Sequence, residues 1–221
     1  MPIFRRFVSG NARVAVWRLD ESVGQLAQLA GVDVSMPLIV GCRSSVRKRE
    51  LLAVRALLRS FVDEKAGLVY DRYGKPLLDG VEGFISVSHT KGYVAVAYSL
   101  CSPVGVDIEL LSRDVGVTAA RFVHKDNMPA VVSDTTGKLA LLHWCAKEAL
   151  FKVVGDLGGT FGENISISPV QLSPAGLFTA EIVGLDLRET HYPLSYVVDG
   201  GLLLVLCGAS GSTASMFSVE K

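Results

Sequence analysis

The sequence predicts an α+β fold of two similar halves, and three features of its pattern support this fold class. Short stretches in which apolar and polar residues alternate, as in strands, occur near the start, the middle and the end of the chain. Residues 44–63 and 133–154 instead have apolar residues at helical spacing, so each half contains one long helix. Ser102-Pro103 is the natural break between the halves, because a new strand starts just after it.

This break divides the chain into an N-terminal subdomain, 1–102, and a C-terminal subdomain, 103–209, which share strand–helix–strand order. The last segment, 210–221, begins with small and polar residues, which predicts a flexible tail. The sequence shows no short-period repeat, so the similarity of the halves is a prediction about element order and not a demonstrated duplication.

The individual elements follow from the same two periodicities and from turn residues. Strands are predicted wherever the alternation continues over several residues, at 12–19, 84–90, 93–98, 105–109, 165–168, 177–183, 194–198 and 202–207. Helices are predicted from capping residues and apolar spacing, at 20–30, 44–63, 118–123 and 133–154. Residues 37–41 are predicted to be extended, and Asp199-Gly200-Gly201 is predicted to form the last hairpin turn.

Composition limits the classes of function that the chain can have. The 22 basic and 22 acidic residues balance to a net charge of zero, which argues against general nucleic-acid binding. Although 49% of the residues are hydrophobic, no apolar run is long enough to span a membrane. The first residues lack the apolar stretch of a signal peptide, and the four cysteines lack the spacing of a metal site. We therefore expect a cytoplasmic protein with free, buried thiols.

Asp107 and Glu109 lie in the strand predicted at 105–109, where they alternate with apolar residues. Successive side chains of a strand point to opposite faces, so these two carboxylates point the same way, roughly 7 Å apart. Such a pair is most often solvated surface. Two carboxylates on one face nevertheless repel each other unless a cation lies between them, so the pair is also a candidate metal site.

Glu148 lies on the long helix predicted for the second half. The predicted core face of that helix is apolar and consists of Leu139, Leu142, Ala146, Ala149, Leu150 and Val153. Glu148 lies on the opposite face, four residues from Trp144 and from Lys152, and a tryptophan there predicts a second buried surface. Together with Asp107 and Glu109, Glu148 would complete a set of oxygen ligands suited to Mg²⁺ and phosphate. The alternative for Glu148 and Lys152 is an ordinary ion pair on a helix surface.

Two motifs in fixed order resemble the signature of the 4′-phosphopantetheinyl transferase superfamily. The first is Val104-Gly105-Val106-Asp107-Ile108-Glu109. The second, after about thirty-five residues, is Trp144-x-x-Lys147-Glu148-Ala149-x-x-Lys152-x-x-Gly155. Motifs that start in the middle of a chain of this length are similar to the Sfp-type, pseudo-dimeric branch. The resemblance therefore implies two similar subdomains with the active site between them.

The resemblance implies transfer of the 4′-phosphopantetheine group from coenzyme A to a serine of an apo acyl or peptidyl carrier protein, with release of adenosine 3′,5′-bisphosphate. It implies that Asp107, Glu109 and Glu148 hold Mg²⁺ and that Glu148 and Lys152 act in catalysis. It also implies coenzyme A contacts from polar residues of the first half, namely Arg43, Arg47, Lys48, Lys75, Ser88 and His89. We expect a monomer that binds neither nucleic acid nor membrane.

The sequence departs from the family pattern at two positions. Many members carry Asn where this chain has Ser86, two residues before Ser88. More importantly, the position of the glutamate that is the family's proposed general base falls on Asn127, and an amide cannot take up a proton. Asp126, His124 or a metal-bound water could replace it, and an imidazole has a suitable pKa near neutral pH. The sequence leaves these three open.

Two other functions remain open from the sequence. A Mg²⁺-dependent phosphodiesterase would use the same three carboxylates, although it leaves Trp144 and Ser88-His89 unexplained. A catalytically inactive homologue that binds coenzyme A or a carrier protein is the other alternative, and Asn127 favours it. Coenzyme A turnover with an apo carrier protein distinguishes these functions from transfer.

Overall fold

The computed structural model describes residues 3–155, 161–185, 190–208 and 215–219. Within these ranges the chain is an α+β fold with two five-stranded antiparallel sheets, which confirms the predicted fold class. The strands of the first sheet are β1 (Ile3–Ser9), β2 (Ala12–Arg18), β5 (Phe84–Thr90), β6 (Tyr93–Ser99) and β12 (Ser218–Val219). Their order is β12-β1-β2-β6-β5.

The second sheet has the order β7-β11-β10-β9-β8. Its strands are β7 (Val104–Leu110), β8 (Ile165–Ile167), β9 (Ala175–Ile182), β10 (His191–Asp199) and β11 (Leu202–Gly208). A separate hairpin joins β3 (Gly67–Tyr70) and β4 (Pro76–Asp79). The helices are α1 (Val23–Ala30), α2 (Pro37–Val40), α3 (Ser45–Phe61), α4 (Met128–Ser133), α5 (Lys138–Val154) and α6 (Phe161–Asn164), with a 3₁₀ helix at Gly116–Arg121.

The two sheets pack against each other between two layers of helices, with α3 outside the first sheet and α5 outside the second. The even-numbered residues of β11, Leu202, Leu204 and Leu206, belong to the core between the sheets. Its odd-numbered residues, such as Leu203 and Val205, belong to the core under α5. Each half therefore has its own helix-covered core, and the halves share a third core between them.

Three predicted elements differ in the structure. Residues 37–41, predicted as extended, contain the short helix α2, because Pro37 occupies its first turn, where a fixed φ favours a helix. The helix predicted at 118–123 is the 3₁₀ helix that starts at Gly116. The helix predicted at 133–154 is α5, which starts five residues later, at Lys138, because residues 134–137 form a turn in which the Asp134 carboxylate accepts the backbone N–H of Leu139 at 2.7 Å.

The chain returns to the first sheet near its end. Of the tail predicted to be flexible, 210–221, the structure describes 215–219, and β12 in this segment pairs with β1. The hydroxyl of Ser9 donates a hydrogen bond to the backbone oxygen of Ser215 at 2.6 Å. The rings of Phe7 and Phe217 also pack edge to face. These contacts join the end of the second half to the first.

The described helices are all too short or too polar to cross a lipid bilayer. The four cysteines are free, as predicted, and Cys145 and Cys207 are buried. Cys42 is only half-buried, and Cys101, in the turn between β6 and β7, is exposed, so the prediction of burial is wrong for these two thiols.

Candidate active site

The two halves meet where β5 of the first sheet lies beside β7 of the second. The Ser86 hydroxyl accepts a hydrogen bond from the backbone N–H of Val106 at 3.0 Å, and the Ser88 hydroxyl accepts one from Ile108 at 3.4 Å. Serine side chains of β5 thus satisfy backbone donors on the edge of β7. Ser86, a departure from the family pattern, retains a hydrogen-bonding role in this contact.

Asp107 is a buried carboxylate at this junction. Its Oδ1 accepts hydrogen bonds from the Ser88 hydroxyl at 2.7 Å and from the Lys152 Nζ at 2.9 Å. Lys152 also donates to the backbone oxygen of Val106 at 2.7 Å, so β7 anchors its ammonium group. Among the described residues, Oδ2 of Asp107 is buried and accepts no hydrogen bond of ordinary geometry, although the buried Cys145 thiol, whose pKa Asp107 helps to raise, interacts with the same carboxylate. A buried carboxylate oxygen without a donor is costly, which makes this atom a candidate ligand for a cation.

Glu109 lies on the same face of β7 as Asp107, as the alternation predicted, and both of its oxygens are engaged. Oε2 accepts a hydrogen bond from the Thr90 hydroxyl at 2.7 Å, and Oε1 forms an ion pair with the Arg113 guanidinium. The guanidinium carbon of Arg113 also lies 5.3 Å from the ring centre of Trp144. This places the tryptophan of α5 next to the acidic strand.

Glu148 lies on α5, one turn before Lys152 and one turn after Trp144. Its side chain is partly buried, and burial raises the pKa of its carboxyl group above the ordinary value. The Asp107 carboxylate raises that pKa further, whereas Lys152 and Arg113 lower it. The Glu148 carboxyl group therefore lies within the electrostatic field of Asp107, Lys152 and Arg113.

Gly105 allows α5 to approach β7 closely. A Cβ atom at this position would lie 1.9 Å from the backbone oxygen of Ala149 and 3.0 Å from Cγ2 of Val153. Only a residue without a side chain fits between the strand and the helix. The glycine two residues before Asp107 therefore determines how near Glu148 and Lys152 lie to the acidic strand.

The described residues contain no group of three or more His, Cys, Asp and Glu side chains that could hold a metal ion as they stand. Lys152 contacts Asp107 and Arg113 contacts Glu109, so protein cations neutralise the two strand carboxylates. The buried Oδ2 of Asp107 and the nearby Glu148 carboxylate still provide the hard oxygen donors that Mg²⁺ prefers. The chemistry of this donor set therefore fits Mg²⁺: Lys152 can remain on Oδ1 of Asp107, and only Arg113 occupies an oxygen of Glu109 that the ion would need.

A cleft of about 130 Å³ in the first half contains two of the predicted coenzyme A contacts. Arg47 and His89 both line it, although they are 42 positions apart in the sequence. Glu50, which the sequence analysis missed, connects them: its carboxylate lies 3.0 Å from Arg47 Nη1 and 3.6 Å from His89 Nδ1. Ligand sites for drug-sized molecules enclose roughly 300–1,000 Å³, so this cleft fits only part of coenzyme A, such as a phosphate group.

The other predicted coenzyme A contacts are more dispersed. Lys75 lies in the turn between β3 and β4, and its neighbours Gly74 and Pro76 line the cleft. Lys75 itself lines an adjacent depression that also includes Phe84. Arg43 and Lys48 flank the start of α3 but do not line the cleft, whereas Ser88 is turned toward Asp107. The structure thus brings Arg47 and His89 together and places Ser88 with the acidic group.

Asn127 is fully engaged with the edge of the second sheet. Its Nδ2 donates to the backbone oxygen of Ile167 at 2.7 Å, and its Oδ1 accepts the backbone N–H of Ile167 at 2.9 Å. His124 is buried, and its Nδ1 accepts a hydrogen bond from the backbone N–H of Asp126 at 3.3 Å. Asp126 is the residue of these three that carries a carboxylate, and its side chain is exposed, so a substrate can reach it.

The sequence did not predict the burial of Lys147, because a charged lysine side chain normally lies on the surface. It is fully buried, and its Nζ donates to the backbone oxygen of Ile165 at 2.6 Å. Burial lowers the pKa of Lys147 to about 7. Lys147 and Asn127 thus both bind backbone groups of β8. The signal in the sequence that singled out Lys147 was its position in the Trp-x-x-Lys-Glu motif.

The second half matches a known family. Residues 103–198 match the family model for the 4′-phosphopantetheinyl transferase superfamily. This segment contains Asp107, Glu109, Glu148 and Lys152, and it covers less than half of the chain. No curated protein matches the sequence. The superfamily resemblance is thus confirmed for this segment, which supports a transferase, and membership of the Sfp-type branch stays a prediction.

Proposed function

We propose that the protein transfers the 4′-phosphopantetheine group of coenzyme A to a serine of an apo acyl or peptidyl carrier protein, in the manner of a holo-carrier-protein synthase. One observation carries this proposal. Among the described residues no donor reaches the buried Oδ2 of Asp107 with ordinary geometry, while Lys152 binds Oδ1 of the same carboxylate at 2.9 Å and Glu148 lies one turn before Lys152 on α5, all within the segment that matches the superfamily. Such a cluster suits the stabilisation of negative charge on a pyrophosphate.

The cleft of the first half is the proposed site for a phosphate of coenzyme A. The Arg47 guanidinium would form charge-assisted hydrogen bonds with the phosphate, and His89 would donate a further one. Lys75 follows Gly74, which lines the cleft, and adds positive charge there, while Arg43 and Lys48 add positive charge near the start of α3, the helix that carries Arg47. Carrier proteins are usually acidic, so the same basic residues would also guide the docking of the carrier.

Asp107, Glu109 and Glu148 would hold Mg²⁺, with Asp107 contributing its Oδ2. The bound ion would offset negative charge on the pyrophosphate. Lys152 provides a second positive charge that does not depend on the ion, because the backbone oxygen of Val106 anchors its ammonium group. Ser88 and Thr90 orient the two strand carboxylates through their hydroxyl groups.

In the proposed reaction the carrier serine oxygen attacks the β-phosphorus of coenzyme A. The bond between that phosphorus and the oxygen bridging to the α-phosphate breaks, and adenosine 3′,5′-bisphosphate leaves with the bonding electrons. The serine proton passes to Asp126, whose carboxylate is exposed. His124 is less suitable, since a backbone N–H already occupies its Nδ1 and the other nitrogen of a neutral ring then carries the hydrogen.

Mass spectrometry of an apo carrier protein incubated with the enzyme, coenzyme A and Mg²⁺ tests this function. We expect a mass gain equal to one phosphopantetheine group, and loss of that gain with Glu148→Gln. Glu64→Gln, which changes an exposed glutamate, is the matched control and should retain activity. Testing carriers of fatty-acid, polyketide and nonribosomal-peptide synthesis would identify the substrate class.

Each alternative function predicts a different result in the same assay. Cleavage of coenzyme A without a mass gain on any carrier would indicate a phosphodiesterase. Binding of coenzyme A without turnover, across all carrier classes, would indicate an inactive homologue. Either result would overturn the transferase proposal.

A further inference from the structure

Arg113 connects the acidic strand to the aromatic face of α5. Its guanidinium forms an ion pair with Glu109 Oε1 and lies over the ring of Trp144. The same ring packs edge to face against the buried Phe122, at a centroid distance of 5.3 Å. Trp144 is therefore packed on both Phe122 and Arg113, whereas the Arg113 side chain is 42% exposed to solvent.

The two strand carboxylates differ in how readily their cations can leave. Lys152 has a second acceptor, the backbone oxygen of Val106, and in the described part of the chain no donor occupies Oδ2 of Asp107 while Lys152 remains in place. Glu109 has no such free oxygen, because Thr90 donates to Oε2 and Arg113 pairs with Oε1. A cation that used Glu109 as a ligand would therefore compete with Arg113. The Arg113 side chain is also more exposed than that of Lys152, the cation that binds Asp107.

We infer that Arg113 is a positioning residue that holds Glu109 in the metal-free protein and moves away from it when Mg²⁺ binds. The inference rests on the proposed function, because it requires Glu109 to be a metal ligand. The Arg113 guanidinium and the Thr90 hydroxyl hold one oxygen of Glu109 each, and the positive charge of Arg113 offsets repulsion between Glu109, Asp107 and Glu148. Since the guanidinium lies against Trp144, its departure changes the surroundings of that ring.

Titration with MgCl₂, in the absence and presence of coenzyme A, tests this inference by calorimetry and tryptophan fluorescence. We expect Mg²⁺ to change the emission of the wild-type protein, and Trp144→Phe to abolish that change. Arg113→Ala should bind Mg²⁺ roughly tenfold more tightly, since the ion no longer competes with a charge-assisted hydrogen bond. It should also lose the Mg²⁺-dependent part of the Trp144 emission change.

Arg121→Ala is the matched control, since it removes an exposed arginine from the same half and should leave both readouts unchanged. Arg113→Gln keeps part of the side chain over Trp144, and it replaces Arg113→Ala if that variant folds poorly. Mg²⁺ binding without a change in Trp144 emission would overturn the inference, as would equal Mg²⁺ affinity in Arg113→Ala and Arg121→Ala. Absence of Mg²⁺ binding in the wild-type protein would instead overturn the proposed metal site itself.

Discussion

Asn127 and Ile167 form a pair of hydrogen bonds that resembles one step of a β-ladder. The side-chain amide of Asn127 donates to the backbone oxygen of Ile167 and accepts its backbone N–H. An asparagine can replace a neighbouring strand in this way because it carries both a donor and an acceptor. The residue at the position of the family's glutamate base therefore has a structural role in this chain.

Replacing Asn127 should reduce stability more than activity. Asn127→Ala leaves both backbone groups of Ile167 without these partners, so we expect a loss of roughly 1–3 kcal/mol in the free energy of unfolding. Urea denaturation measures this loss, with Asn11→Ala, at an exposed turn residue, as the control. A stable Asn127→Glu variant with faster transfer would contradict the structural role.

Asp126 should matter more than His124 for proton transfer from the carrier serine. Asp126→Asn removes the exposed carboxylate, and we expect kcat to fall roughly 100-fold or more, the usual contribution of a general base. His124→Gln should have a smaller effect on kcat, because Nδ1 of His124 already accepts a backbone hydrogen bond. Steady-state kinetics with an apo carrier measure both, and a larger effect of His124→Gln would reverse the assignment.

Gly105→Ala should destabilise the second half. The added methyl group would collide with the backbone oxygen of Ala149, so α5 must move away from β7, at a cost of about 1–3 kcal/mol or more. Gly24→Ala is a suitable control, because a Cβ atom at Gly24 meets no atom within 4 Å. As Gly24 lies inside α1, that change should instead stabilise the protein by about 0.5–1 kcal/mol. Thermal unfolding compares the two variants.

His143 should make the protein sensitive to mild acid. Burial, followed by the nearby charge of Lys147, lowers the pKa of His143 from 6.5 to about 4. The unfolded chain then binds a proton that the folded protein excludes, so stability is lost as the pH falls from about 6.5 towards 4. Between about pH 7 and pH 5 the loss should be roughly 2 kcal/mol. Urea denaturation should show a smaller loss for His143→Gln over the same interval.

Arg47 should contribute to coenzyme A binding through the cleft that it shares with Glu50 and His89. Arg47→Ala removes a charged donor, so we expect KM for coenzyme A to rise roughly tenfold or more with little change in kcat. Arg55→Ala is the control on the same helix, since the Arg55 guanidinium donates to the backbone oxygen of Leu51. An unchanged KM for Arg47→Ala would remove this cleft from the proposed coenzyme A site.

The periodicity of the sequence determined the fold class, the long helices and the common face of Asp107 and Glu109. Strand and helix repeats depend on residues close together in the chain, so they can be read from the sequence directly. The same repeats placed Glu148 and Lys152 on the face of α5 away from its predicted core. The family motifs then connected these residues, and the superfamily match covers all four of them.

Only the tertiary structure decided which of these side chains pair with one another. The Ser88 hydroxyl binds Asp107 because β5 lies beside β7, a contact that the sequence did not indicate, and the contact of Ser88 with coenzyme A stays a prediction. Glu50 contacts His89, which lies 39 positions later in the sequence, because α3 packs over β6 and the neighbouring β5. The burial of Lys147 also has no local signal, since only the placement of β8 provides its backbone acceptor. Contacts of this kind depend on which strands and helices become neighbours, and local periodicity carries no information about that choice.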